Sequence, residues 1–440
     1  MIKNNRWAAA LAAGAIAAAL AAGQAAAQEA APEIQPASET ARFAFNTLLF
    51  LVAGMVVMFM AAGFCMLEAG LVRSKNAATI CLKNIAIYSV AGIMVWLLGY
   101  NLIYGVEEGG LLGRFAVWGA DDSNPMEAGY AASSDWYFQM VFVATAASIV
   151  SGTLAERIKL WPFLIFVAVL TGIIYPIQAS WEWGGGFLDA RFGFADFAGS
   201  TLVHSTGGWA ALAGAIVLGS RTGKYEGGRV NAMPGSNLPL ATLGTFILWL
   251  GWFGFNGGSQ LAFGTIDDAI SVAKIFVNTN MAACAGVVTA MALTQFIYKK
   301  VDLTVVLNGA IGGLVSITAE PLAPAIWLAV LIGFGGGVIV TVAVPVLDRL
   351  KIDDVVGAIP AHLLCGIWGT LVVPLSNKDA SFLGQFVGVA MIGAFVFGLS
   401  LLVWFALKYS VGVRVKPDHE LAGLDQVELG LEAYPEFPRG

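Results

Sequence analysis

Eleven windows of about 20 mostly apolar residues recur along this 440-residue chain, and no other feature constrains its fold as tightly. A run of that length crosses the roughly 30 Å hydrocarbon core of a bilayer as an α-helix rising about 1.5 Å per residue. The windows are 43–66, 77–104, 134–154, 160–180, 198–219, 237–257, 269–297, 304–319, 324–346, 355–375 and 384–407, the eighth being the shortest. Charged residues make up 12% of the sequence, against roughly a quarter in soluble domains. The expected fold class is all-α, a polytopic membrane protein with eleven transmembrane helices. The net charge of −6 is small for the length, and no nucleic-acid footprint is visible.

Lysine and arginine set the orientation. Loops after odd-numbered windows, with the segment past the last one, hold fourteen of them, including Arg73, Lys75, Arg157, Arg221, Lys299 and Arg414. The opposite side holds Arg42, Arg114, Arg191 and Lys378. This positive-inside bias places the N-terminus outside and the C-terminus in the cytoplasm. The opening stretch agrees: Lys3 and Arg6 precede an Ala/Leu-rich run ending in small residues near Ala25–Ala27, which reads as a cleavable signal peptide over 1–27. Its alternative is a weakly hydrophobic first anchor. Residues 28–42 are then a periplasmic tail, 43–407 the transmembrane domain and 408–440 a cytoplasmic tail, in an inner (cytoplasmic) membrane.

Two stretches share one arrangement. In DFAGSTLVHSTGG, Asp196 precedes His204 by eight residues and Gly208 follows; in DVVGAIPAHLLCG, Asp354, His362 and Gly366 repeat the spacing D-x7-H-x3-G. Two of the chain's three histidines lie in this pattern. The first enters the membrane from outside and the second from the cytoplasm, the mark of an inverted repeat of five plus five helices with one extra. Eight residues at about 1.5 Å each carry either histidine roughly 12 Å inward, so both approach the midplane. Ionisable groups there are costly and usually functional. Satisfied core histidines, metal ligation and acid–base catalysis are the rival readings. Metal sites want three or four ligands, and no nucleophile or oxyanion device accompanies the pair, so neither a metal centre nor an enzyme is expected. Adjacent neutral imidazoles can donate to and accept from each other and line a narrow path for a small polar molecule or a proton. Asp196 and Asp354 read as helix caps, with attraction of cations by Asp196 as the alternative.

Aromatic residues cluster at the outer ends of helices: Trp181 and Trp183, Phe138 and Phe142, and Trp252, Phe253 and Phe255 in GWFGFNGGS. They fit either an interfacial belt or a vestibule in which ring faces hold a monovalent cation. The four cysteines, Cys65, Cys81, Cys284 and Cys365, lie in apolar segments without metal-ligand spacing. They read as small buried hydrophobes.

The stretch from Asp196 to Arg221, with GTLAERIK, WGGG, GWFGFNGGS and DDVVGAIPAHLLCGIWGT, resembles the Amt/Mep/Rh ammonium transporters and in particular the bacterial Amt branch, over essentially residues 43–435. The resemblance implies an eleven-helix monomer with an inverted five-plus-five repeat, one pore per monomer, and a homotrimer. It implies that His204 and His362 are the twin pore histidines, Phe142 and Phe255 the stacked gate, and Trp183, Ser259 and Phe142 the external recruitment site. Asp196 matches the structural aspartate, Trp252 a pore-lining tryptophan and Thr318, in the weaker block GGLVSITAE, a pore-lining threonine. Ammonium would be selected outside, lose its proton and pass as ammonia, with methylammonium a poor analogue. No cofactor is implied.

Three departures stand out. Gly357 occupies a position where many bacterial members carry an aspartate, and Glu68 stands where better-known ones have an aromatic. In the tail GLDQVELGLEAYPEF, which resembles the region that supports docking of PII-type signalling proteins, Leu429 and Leu431 replace a usual His and Glu. An ammonium sensor with little flux and a Rh-type conductor of neutral gas are the rival functions. The chain runs about 30 residues past its last window with no output domain, and the Trp183–Ser259 pair favours an Amt-type cation site.

Overall fold

The computed structural model describes residues 37–436, so the expected signal peptide and all but the end of the N-terminal tail lie outside the described residues. All eleven apolar windows are helical. In chain order the helices are α1 (Glu39–Leu71), α2 (Ser74–Tyr104), α3 (Ala132–Thr153), α4 (Leu160–Ser180), α5 (Ser200–Leu218), α6 (Leu238–Gly258), α7 (Ile266–Tyr298), α8 (Leu303–Ile317), α9 (Ile326–Arg349), α10 (Ile359–Leu375) and α11 (Phe382–Ser410). Helix α1 starts inside the expected tail, and α11 runs past residue 407. At 33 residues each, α1 and α7 reach about 50 Å and must tilt or protrude from the bilayer.

The surface is inverted relative to a soluble domain. Large apolar side chains such as Ile85, Phe246, Phe296, Trp327 and Leu402 point outward, which suits hydrocarbon solvent. The interior combines buried aromatics such as Trp252, Phe163 and Trp404 with small residues and hydroxyls at the helix crossings, where association depends on close packing because lipid is as apolar as leucine. Helix α1 lies along α6 so closely that a Cβ on Gly244 would fall 2.3 Å from the Leu67 backbone nitrogen, and one on Gly70 2.5 Å from that of Ala241. Interior hydroxyls such as those of Thr145, Thr171 and Thr341 donate to carbonyls one turn back, which pairs these donors without water. Helix α5 is heavily enclosed, with 83% of its window buried against 33% for α11.

The bundle is an inverted five-plus-five repeat, α1–α5 and α6–α10, with α11 added. At one end, which carries the C-terminal segment, buried charges tie the turns together. Asp353 accepts from Arg221 three times, from the backbone N–H at 2.8 Å and from Nε and Nη2 at 2.9 Å each. Arg157 donates to the Asp353 carbonyl at 2.7 Å, and Glu156 accepts from the Arg73 backbone at 2.7 Å and side chain at 2.6 Å. The tail lies against its own chain: Glu420 accepts from Thr222 and Arg414, and Asp425 accepts from the N–H groups of Ala78 and Thr79 at the start of α2.

Candidate functional site

The repeated motif builds a crossing at the centre of the bundle, and each of its positions has a physical reason. Asp196 accepts from the N–H groups of Gly199, Ser200, Thr201 and Leu202 at 3.1, 2.8, 2.7 and 2.8 Å, so it satisfies the orphan donors of α5. Asp354 accepts from the Ile359 N–H at 2.7 Å and from the Thr153 hydroxyl at 2.9 Å. Both helices open with a π-turn, Ser200–Ser205 and Ile359–Leu364, and each histidine sits inside one. Such turns occur often at functional sites and shift side chains off the regular α register.

The glycine Gly357, a departure from the family pattern, has a structural partner. Its φ is +78° and that of Gly199 is +105°, and each lies five residues before its histidine. The motif is therefore D-x2-G-x4-H-x3-G, with a left-handed glycine launching each π-turn. A Cβ at Gly357 would also meet the Asn308 amide at 2.8 Å, and that amide donates to the Val356 carbonyl at 2.9 Å. The last glycine of each copy packs on the other copy. A Cβ on Gly208 would fall 2.5 Å from the Leu363 Cβ, and one on Gly366 2.2 Å from the Ser200 carbonyl oxygen. Ser205 adds a hydrogen bond to the Leu363 carbonyl at 3.2 Å.

This crossing brings the buried histidines together, Nδ1 to Nδ1 at 3.2 Å. One Nδ1 must carry the shared proton and the other accept it, so the neutral pair holds opposite tautomers. His204 stacks on Trp252 with ring centroids 4.8 Å apart and lies 5.3 Å from Phe255; its Nε2 has no partner among the described residues. The Trp252 indole donates to Thr318 Oγ1 at 2.8 Å, whose hydroxyl donates to the Leu314 carbonyl at 2.7 Å. Thr318 thus orients Trp252. Phe142 and Phe255 stack at 4.0 Å and cap the histidine column.

Above that stack lies a cavity of about 400 Å³. Trp183, Ser259, Phe142 and Phe138 line it. The Trp183 indole donates to the Asp196 carbonyl at 3.0 Å and its ring meets Phe142 edge-on at 6.0 Å, while Ser259 donates to the Phe255 carbonyl at 2.8 Å. Sequence reasoning missed Tyr100, Tyr104, Tyr130 and the buried Asp135, which accepts from the Tyr100 hydroxyl and from Gln139. The i, i+4 spacing of Tyr100 and Tyr104 and an acid in the first turn of α3 were the available signals. Two other aromatics lie elsewhere: Trp181 donates to the Leu111 carbonyl at 2.9 Å and packs on Phe187, and Phe253 packs on Phe276. Among the cysteines only Cys365 is fully buried, and Cys81 is exposed on the outer face of α2, so burial does not explain them all. Among the described residues no three His, Cys, Asp or Glu side chains converge as a metal site.

On the far side of the pair, His362 lies 6.1 Å from Phe64 and shares a cavity of about 10 Å³ with Phe64, Ser148 and Glu68. In order, the protein thus places an aromatic-lined cavity, a stacked pair of rings, two imidazoles and a second, small cavity.

Residues 48–434 match the Ammonium Transporter Family. A putative ammonium transporter of Synechocystis sp. is 43% identical over 395 residues, covering 88% of this chain and 89% of that protein. Amt2 of Archaeoglobus fulgidus is 40% identical over 417 residues, covering 88% and 87%. Among solved structures, a sensor Amt protein is 35% identical with a TM-score of 0.84 over 89% of this chain and 100% of its own, and Candida albicans Mep2 is 26% identical with a TM-score of 0.79. With its inverted eleven-helix bundle and a family match running from the first helix into the tail, the chain belongs to the ammonium transporter family.

Proposed function

We propose that this protein transports ammonium across a membrane, selecting the cation in the aromatic vestibule, removing its proton, and passing ammonia along the histidine column while the proton travels separately. The observation that carries this reading is the order of groups on one lane: Trp183 and Ser259 around the vestibule, the Phe142–Phe255 stack at 4.0 Å, then His204 and His362 joined at 3.2 Å. Ring faces stabilise a monovalent cation as its water is stripped. A charge carried into the dry column beyond them would lose hydration without replacement, whereas neutral ammonia both donates and accepts hydrogen bonds. Potassium has no proton to release and is excluded on this reading. Methylammonium is a poor substrate.

The positive-inside bias supports an inner-membrane orientation with the vestibule and mature N-terminus in the periplasm, the tail in the cytoplasm and residues 1–27 removed as a signal peptide. Family membership supports a homotrimer with one pore per subunit and a tail that a PII-type protein could engage. A sensor with little flux is the second reading, favoured by the likeness to the sensor Amt protein.

The test is solid-supported-membrane electrophysiology on protein in liposomes, pulsed with ammonium, methylammonium and potassium. The expected result is a sustained ammonium current, a weaker methylammonium current and no potassium current. A His204→Ala, His362→Ala variant that forms equally stable oligomers should lose the current or its selectivity. Folded wild-type protein that binds ammonium without a sustained current would favour the sensor.

A further inference from the structure

Glu68 and Lys83 are buried charged side chains of α1 and α2, respectively, that the transport reading above leaves unused. Burying either alone in a membrane interior is costly. Ser151 of α3 stands between them: its hydroxyl donates to Glu68 Oε2 at 2.7 Å, and its backbone carbonyl accepts from Lys83 Nζ at 3.0 Å. Lys83 Nζ also lies 4.5 Å over the Phe163 ring. The other carboxylate oxygen, Oε1, makes no hydrogen bond within the ordinary limits among the described residues, and the Asn84 side chain of α2 stands beside the carboxylate. Glu68 lines the same 10 Å³ cavity as His362, a space about the size of one water molecule.

We propose that Glu68 is the proton acceptor on the exit side of the histidine pair, positioned by Ser151 and held ready by the Lys83 charge. The proposal rests on the transport reading. The proton given up by ammonium binds His204 Nε2, the shared proton passes from His204 Nδ1 to His362 Nδ1, and His362 releases its Nε2 proton through one water in the cavity to form an O–H bond on Glu68, so both imidazoles stay neutral; Glu68 then releases that proton to water or to departing ammonia at the exit. One proton enters the relay and one leaves, with no redox change. The other titratable groups around the carboxylate are Cys65 on its own helix and Cys81 on α2, and Arg157 faces Lys83 from the turn after α3. A thiol is a poor carrier beside a carboxylate, and Arg157 stays protonated.

The experiment compares wild-type, Glu68→Gln and Glu68→Asp full-length protein in liposomes under ammonium pulses. Glu68→Gln, close to isosteric, should lower the sustained current by on the order of 100-fold or more with melting temperature and potassium exclusion unchanged, and Glu68→Asp should retain part of it. Ammonium-minus-buffer infrared difference spectra of the wild type should show a protonated-carboxyl C=O band that shifts in D2O, moves in Glu68→Asp and vanishes in Glu68→Gln. An unchanged current in Glu68→Gln overturns the proposal, as does a current loss that only tracks a lowered melting temperature or a wild-type spectrum without the band. Failure of the transport reading itself is separate: it shows as no ammonium current in the wild type.

Discussion

Trp183 is fixed by hydrogen bonding and ring contact: its indole is tied to the Asp196 carbonyl and its edge meets Phe142. It therefore forms part of the vestibule wall, and an indole there contributes about 0.5–2 kcal/mol to a bound cation. Trp183→Leu is expected to raise the half-saturating ammonium concentration by about 2- to 30-fold on that figure, with the histidine column intact; titration of the ammonium current checks this, and an unchanged curve would return the residue to an architectural role. Single residues were legible in the sequence where chemistry was rare. Two histidines in a hydrophobic chain with matching spacing announce themselves. Asp135 did not, because an acid at the start of a helix is ordinarily a solvated first-turn residue, and only the fold reveals that Tyr100, Tyr104 and Tyr130 close over it. Gly357 looked like a lost acid until its backbone conformation paired it with Gly199.

At the scale of elements, the crossing of α5 and α10 depends on two glycines that each admit the other helix. Gly366→Ala would drive a Cβ to within 2.2 Å of the Ser200 carbonyl oxygen, against backbone that cannot yield cheaply. The expected outcome is a loss of about 1–3 kcal/mol from overpacking together with a disturbed imidazole pair. The contrasting substitution is Gly398→Ala in α11, where nothing lies within 4 Å and the helix should gain about 0.5–1 kcal/mol. Thermal unfolding in detergent, scored beside ammonium current, checks both; equal behaviour of the two variants would remove the crossing from the account. Element existence was readable because a bilayer demands long apolar runs, and even the 15-residue α8 was visible. The π-turns were not readable, since a shift from one hydrogen-bonding register to the next leaves hydrophobic periodicity unchanged over one turn. They accompany the caps: four N–H groups converge on Asp196 at α5, the Ile359 N–H meets Asp354 at α10, and a left-handed glycine sets each entry.

For the molecule as a whole, cohesion at the tail end depends on ionic contacts between turns far apart in sequence. The positive charges there were counted as an orientation signal, and the sequence offered no way to see that Arg221 and Arg157 are buried on Asp353 rather than facing water or lipid headgroups. Burial pushes the Asp353 carboxyl up, but the hydrogen bonds from Arg221 and the charges of Arg157 and Arg221 outweigh it and hold the group well below the usual carboxylate range. A depressed carboxylate binds its proton less readily in the folded than in the unfolded chain. Its contribution to stability is therefore complete above the unfolded value of about 4 and disappears as pH falls from there through the folded value. Burial pulls the other way on Arg157, whose guanidinium is lowered to about 10; it remains charged throughout that acid range. Melting temperature measured in detergent should hold level from neutral pH to about pH 5 and decline below about pH 4 as Asp353 takes up its proton. Asp353→Asn should destabilise the protein at neutral pH by about 3–5 kcal/mol, because it removes the nearest counter-charge of the buried Arg221 and Arg157 and leaves Arg221 only the 3.6 Å contact with Glu156, and should flatten the acid decline. If the variant kept the full acid decline, the pH sensitivity would belong to other carboxylates, with the Glu420 and Asp425 contacts that dock the tail the next to replace.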